Sequence, residues 1–381
     1  MDLIASEYKG KIDQPTELFA QPTEEERFAT LKALDFSVYK AALVSFHNEV
    51  VADPDGAHWT FTDRRIVADN PNSGELIRYP EVPYKSAVLE YAHTQSQESG
   101  SLERAAFIEG AAIYLTQPFM DHNKATARNV YLALRGGWLR SERVNSDLLH
   151  STPATKAEGK YFWQEDWAMN TINFSDAFLT PEVAKLVDDQ VYAGTSITKV
   201  GGTLRLHNPE ETDQAAYEKT MATLNDKLTA DDKKELLSLL GKTDDREIFT
   251  GADFDASGLQ YGLSVLASQG LYRPTPEKEG EEQQTVIQEA LAQLSPEALK
   301  GLISHTWDYH TQQALASIDL LAQDITIQDP HRGKITTYDF IRERSAHFEA
   351  SRVDRKYGAL ALQAYQTPIL ERQKQQADKT S

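Results

Sequence analysis

The chain contains no cysteine. That excludes disulfides, thiolate nucleophiles and cysteine-ligated zinc, and it fits a reducing compartment. No run approaches the roughly 18 consecutive apolar residues of a membrane span, so no spanning segment is expected. The opening Met1-Asp2-Leu3-Ile4-Ala5-Ser6-Glu7 has no basic stretch leading into an apolar one, so no cleavable signal peptide is expected. A cytoplasmic location fits, as does secretion into a host cell without a cleavable signal peptide. Basic residues are scarce, 39 against 58 acidic ones, which leaves a net charge of −19. A field of that sign repels nucleic acid and anionic membranes, so no nucleic-acid partner is expected. Gly-x-Ser-x-Gly, Walker and dinucleotide-binding fingerprints are absent too.

What remains is an ordinary globular composition of 381 residues, 40% hydrophobic and 25% charged, enough for two or three domains. Residues 1–35 are polar and rich in Glu, Gln and Pro. From Phe36 the apolar residues Tyr39, Leu43, Phe46 and Val50 recur at three and four, which predicts a helix over 36–51. Asp53-Pro54-Asp55-Gly56 stops it. Two short extended runs around Asp69-Asn70-Pro71-Asn72-Ser73-Gly74 predict a β-hairpin over 64–80. Helices are expected over 83–95 and 101–116, the latter with Ala105, Ile108, Ala112 and Leu115 on one face. Another starts after residue 123, with Ala127, Val130, Tyr131, Leu134 and Trp138 in register. Further along, Thr198 to Leu206 suggests a small hairpin with a Gly-Gly turn. Residues 211–240 and 284–325 are rich in Leu, Ala, Glu and Lys and read as helical. Arg273 to Gln284 reads as a linker and Glu371 to Ser381 as a polar tail.

The chemistry concentrates in Gln117-Pro118-Phe119-Met120-Asp121-His122-Asn123-Lys124-Ala125-Thr126-Ala127-Arg128, a turn that opens a helix. A helix start presents N–H groups without intrahelical partners and a partial positive charge, which suits a phosphate. Lys124 and Arg128, four apart, share a helix face and can reach one anion. Asp121 can hold magnesium, which takes one or two carboxylates together with phosphate oxygens and water. Phe119 is expected to anchor the loop in the core. A plainer reading stays open: Asp121 or Asn123 caps the helix and the two cations are a solvated face.

The stretch resembles the active-site motif of the Fic/Doc (Fido) superfamily, His-x-Phe-x-Asp/Glu-Gly-Asn-Gly/Lys-Arg-x-x-Arg. Pro118, Phe119, Asp121, Asn123, Lys124 and Arg128 match in register, and Asn123, Lys124, Thr126 and Ala127 follow the Doc-like variant. The resemblance covers roughly residues 36–140. It implies a mainly α fold, a Fic-like helical core with a β-hairpin flap; the Leu/Ala/Glu/Lys-rich helices beyond it form a C-terminal helical domain of unassigned role. The corresponding divisions are 1–35, 36–200 and 205–381. It further implies a magnesium nucleotide, such as Mg-ATP, or another pyrophosphate-containing ligand. A phosphate-bearing group such as AMP would move to a hydroxyl of a protein target. Asp121 would hold the metal, Asn123 and Lys124 the phosphates and Arg128 the distal charge. Arg64, Ile66 and Val67 on the flap would dock the target by strand pairing.

Three departures fall at decisive positions. Gln117 stands where the motif histidine takes the acceptor's proton, and an amide is no base near neutral pH. His122 stands at the glycine where backbone approaches phosphate. Ala125 replaces an arginine that contacts the terminal phosphates. Gln117 would then only orient the acceptor, with His122 as a displaced base. The alternative is an inactive Fic-like module serving binding, regulation or an effector role.

Other motifs read as structure. Thr275 to Gly280 matches the family's inhibitory string but lies in the linker with Pro at its second position. Asp253-Phe254-Asp255-Ala256-Ser257-Gly258 opens like a calcium loop but has Ser264 where a bidentate Glu belongs. Gly333 to Phe340 resembles half of such a loop without its ligands. His305 and His310, five apart, diverge on a helix, and His331-Arg332-Gly333-Lys334 reads as a solvated basic turn.

Overall fold

The structure, a computed structural model, describes residues 23–51, 60–62, 67–69, 76–135, 172–193, 222, 226–240, 256–273 and 289–345. The fold is mainly α, with two small antiparallel hairpins. The polar N-terminal stretch enters it as α1 (Glu24–Ala33), opened by a capping box in which Thr23 and Glu26 satisfy each other's backbone N–H. Leu31 of α1 is fully buried, and buried Arg27 donates from Nε to the Leu134 carbonyl at 2.6 Å. Next comes α2 (Phe36–Val51), with Tyr39, Leu43 and Phe46 buried as their spacing predicts.

The expected first hairpin is β1 (Val67–Asp69) against β2 (Leu76–Arg78), with Val67 opposite Arg78 and Asp69 opposite Leu76. Then follow α3 (Val82–Glu98), α4 (Leu102–Thr116) and α5 (Asn123–Arg135). The apolar sequence of α4 runs all round the helix, and burial follows on every side, as a central helix requires. It packs between α3 and α5. At Gly110 the approach is closest: a Cβ there would stand 2.6 Å from a Phe174 ring carbon and 2.9 Å from the Ala127 carbonyl oxygen. Phe174 belongs to the short α6 (Phe174–Phe178), which leads to α7 (Pro181–Tyr192).

Beyond these lie α8 (Ala230–Leu240), α9 (Ala256–Ser268) and the long α10 (Pro296–Ala322). The helical region expected over 284–325 is interrupted at 294–295, where Ser295 caps α10 and Pro296 fills its first turn. Two cores share α10. Its first half (Leu299, Leu302, Ile303, Trp307) packs with α8 and α9, and its second half (Ala314, Ile318, Leu320, Leu321) packs with α1 to α6. Phe340 and Ile341 also enter the core that the second half of α10 joins. Arg104 on α4 binds the end of α10: Nε donates to the Leu321 carbonyl (2.7 Å), Nη2 to that of Gln323 (2.9 Å), and Nη1 pairs with Asp324 (2.8 Å).

A second hairpin, β3 (Thr326–Asp329) and β4 (Gly333–Thr336), follows. The basic turn at 331–334 is its tip. Asp329 Oδ1 accepts from the N–H groups of His331 (2.8 Å) and Arg332 (3.0 Å), and Gly333 takes the left-handed φ of +77° that closes the loop. The calcium-like stretch passes into α9, where Ser264 is buried and donates to the Gln260 carbonyl (2.8 Å), so no ligand loop continues there. The hairpin expected at 198–206, the linker from 274, the tail, Asp253, Asp255, Arg64 and Ile66 lie outside the described residues.

Candidate functional site

The loop begins where α4 ends. Gln117 turns the backbone left-handed (φ 46°, ψ 63°) while its N–H still donates to the Ile113 carbonyl at 3.0 Å. Its side chain folds back, Nε2 donating to the Tyr114 carbonyl at 2.7 Å. The Gln117 carbonyl accepts from Lys85 Nζ at 2.8 Å, a buried ammonium supplied by α3. Amide and cation thus cover the negative end of the α4 dipole. The Pro118 carbonyl next accepts from the N–H of Thr62 (2.8 Å), which ties residues 60–62 to the loop.

Phe119 is fully buried, as expected of the loop's anchor. Its ring lies flat on His47 of α2, with centroids 3.7 Å apart and planes 5° from parallel, and meets Phe61 edge-on at 5.3 Å. Asn123 closes the turn behind it. Oδ1 accepts from the Phe119 N–H (2.8 Å) and Nδ2 donates to the Phe119 carbonyl (2.7 Å). His122 is a second left-handed residue, φ 57°, a conformation that glycine adopts readily and a histidine carries here. Its carbonyl receives both the N–H (2.9 Å) and the hydroxyl (3.0 Å) of Thr126, and His47 Nδ1 lies 2.6 Å from that hydroxyl.

The six residues expected in the site divide by direction. Asp121 and Lys124 face solvent, and the Asp121 side chain is 74% exposed. The Asp121 Oδ1 accepts the His122 N–H at 2.6 Å. The imidazole of His122 is half exposed, its Nε2 4.0 Å from Asp121 Oδ2. Asn123, Arg128 and Gln117 are buried, and the polar side-chain atoms of Asn123 are committed to Phe119. Val67 opens β1.

The sequence reading missed His47 and Lys85. His47 lies 79 residues from Thr126 and Lys85 lies 32 from Gln117, and each sits on a helix whose pattern identifies only its apolar face. Burial, reinforced by the neighbouring His122 and partly opposed by Asp121, pushes His47 down to about 4. It is therefore neutral at physiological pH.

No protein-family model, curated protein or solved structure matches the chain. The loop's chemistry has to be read from its own groups. The first amides of α5 and Lys124 suit an anion. Among the described residues no group of three or more His, Asp or Glu side chains is arranged to hold a metal ion. One exposed carboxylate, Asp121, nonetheless suits magnesium, which keeps several waters and takes further ligands from substrate phosphates.

Proposed function

We propose that the chain is a divergent Fic-like protein that binds a magnesium nucleotide, or another pyrophosphate-containing ligand, where α5 begins. It transfers a phosphate-bearing group such as AMP to a hydroxyl of a protein target. The turn carries this reading: two left-handed residues, closed by Asn123, set out the first amides of α5 with Asp121 and Lys124 beside them. Lys124 and those amides hold phosphate oxygens, Arg128 adds positive charge behind them, and Asn123 shapes the turn. Magnesium, when bound, neutralises phosphate charge, and Asp121 holds it. In the transfer the target oxygen bonds to the α-phosphorus, the bond from that phosphorus to the bridging oxygen breaks, and pyrophosphate leaves. The hydroxyl proton passes to His122, since imidazole is the side-chain base suited to neutral pH and the Gln117 amide is none. The target docks along the hairpin that includes Val67, by strand pairing.

A second reading has its own observation. The Gln117 side chain is turned into its own helix end, which favours a Fic-like binding module without catalysis. Calorimetry with magnesium and a nucleotide panel, run on wild type, Asp121→Asn and Lys124→Ala, tests the site. Wild type is expected to bind only with magnesium, Asp121→Asn to lose the binding that magnesium supports, and Lys124→Ala to bind about tenfold more weakly. No binding by wild type would end the transferase reading and leave the module. Mass spectrometry of incubated targets then separates the two readings: transfer abolished in His122→Asn supports the enzyme, and binding without transfer supports the module.

A further inference from the structure

We propose that His47 is the positioning residue of the 117–128 loop. It clamps both ends of the turn, Phe119 by stacking and Thr126 by donating a hydrogen bond from Nδ1, and so holds the left-handed backbone at His122 from which α5 starts. The consequence for ligand binding rests on the reading above; the clamp itself does not.

The geometry is specific. The two rings are nearly parallel at 3.7 Å, and Thr126 Oγ1, fully buried, lies 2.6 Å from Nδ1 and 3.0 Å from the His122 carbonyl. A hydroxyl has one proton. Given to the His122 carbonyl, that proton leaves Oγ1 to accept, and the His47 proton must then be on Nδ1. Burial and the nearby His122 keep His47 neutral, so one tautomer is selected. One imidazole thereby joins the residue that starts the turn to the first turn of α5. Asn123 closes the same turn from inside through Phe119. Rigid support of this kind lets a loop meet its ligand without an ordering cost.

The test uses the full chain and three variants. His47→Phe keeps an aromatic stack and removes the hydrogen bond, Thr126→Val removes the bond from the other side, and Thr126→Ser restores a hydroxyl. Hydrogen exchange of amides 120–125 is compared with that of the α4 amides. Exchange in the loop is expected to rise about tenfold in His47→Phe and Thr126→Val, the scale of one buried hydrogen bond, with α4 unchanged. Thr126→Ser should stay at the wild-type rate, and the double variant should be no worse than either single. Nitrogen NMR of wild type should show His47 protonated on Nδ1 alone, a readout that needs no variant to fold. A proton on Nε2, unchanged loop exchange, or an equal rise across the helices would overturn the clamp. Calorimetry with magnesium and inorganic pyrophosphate runs in parallel. If wild type binds none, the ligand reading fails while exchange and tautomer still decide the role of His47.

Discussion

At Asn123 a single carboxamide satisfies both backbone groups of Phe119, and both residues are buried. Replacing it by alanine leaves an N–H and a carbonyl without partners, at about 1–3 kcal/mol each. Asn123→Ala is therefore expected to lose about 2–6 kcal/mol, read as a lower urea midpoint at unchanged slope. Asn123→Asp keeps the acceptor and should lose about half as much. Asp121→Asn, two residues away but exposed, should stay within about 0.5 kcal/mol of wild type. An equal loss in Asn123→Ala and Asp121→Asn would show that the turn does not depend on the Phe119 clamp. At this scale the sequence was legible for what is local. The buried anchor at Phe119 followed from its apolar context, whereas the left-handed backbone at His122 did not, because a non-glycine residue is uncommon in that conformation. The direction of Asn123, inward to Phe119, was not legible, because residue type alone does not distinguish a ligand group from a loop clamp. Nor was His47, whose contact depends on how α2 crosses α5.

Gly110 controls how closely α4 can approach α5 and Phe174. Alanine favours a helix over glycine by up to about 1 kcal/mol. Its methyl group would nonetheless meet the Ala127 carbonyl at 2.9 Å, and backbone in a helix cannot yield as a side-chain end can. Overpacking of this kind costs about 1–3 kcal/mol. Gly110→Ala is thus expected to lower stability by about 1–2 kcal/mol despite the better helix former. Gain of stability in a urea titration would mean that the helices are not held this close. Among elements, those with strong apolar periodicity were legible: α2, α4, α5 and the Leu/Ala-rich part of α10. Helix α1 was not, because EEERFATLKA carries few apolar residues and its core contribution is mostly Leu31 and the stem of Arg27. The hairpin of β3 and β4 escaped as well, since its alternation is short and its turn resembled a metal loop.

Across the whole molecule, α10 joins two cores, and Ala314 to Leu321, with Phe340 and Ile341, pack into the core built by α1 to α6. That arrangement depends on long-range packing, which local patterns do not encode. The same interior holds two histidines that respond to pH in opposite senses. His93 is buried with Glu109, Nδ1 to Oε1 at 2.8 Å, and its Nε2 lies 3.1 Å from the Leu34 carbonyl. Burial works against its proton, but the Glu109 carboxylate and these bonds outweigh it and raise the pKa. Its contribution is complete below the unfolded value of about 6.5 and is lost as pH rises through the raised value. His47, pushed down to about 4, contributes fully above about 6.5 and loses that contribution as pH falls toward 4. His305, also lowered by burial, adds to the acid side with the same sign. Stability should therefore fall on both sides of about pH 6.5. On the acid side His47 alone accounts for about 1–2 kcal/mol between pH 6.5 and 5. Urea unfolding of wild type and His47→Gln across pH 5–8.5 checks this: the variant should show a shallower acid limb and an unchanged alkaline one. Parallel acid limbs in the two proteins would mean that His47 is not held neutral beneath the loop.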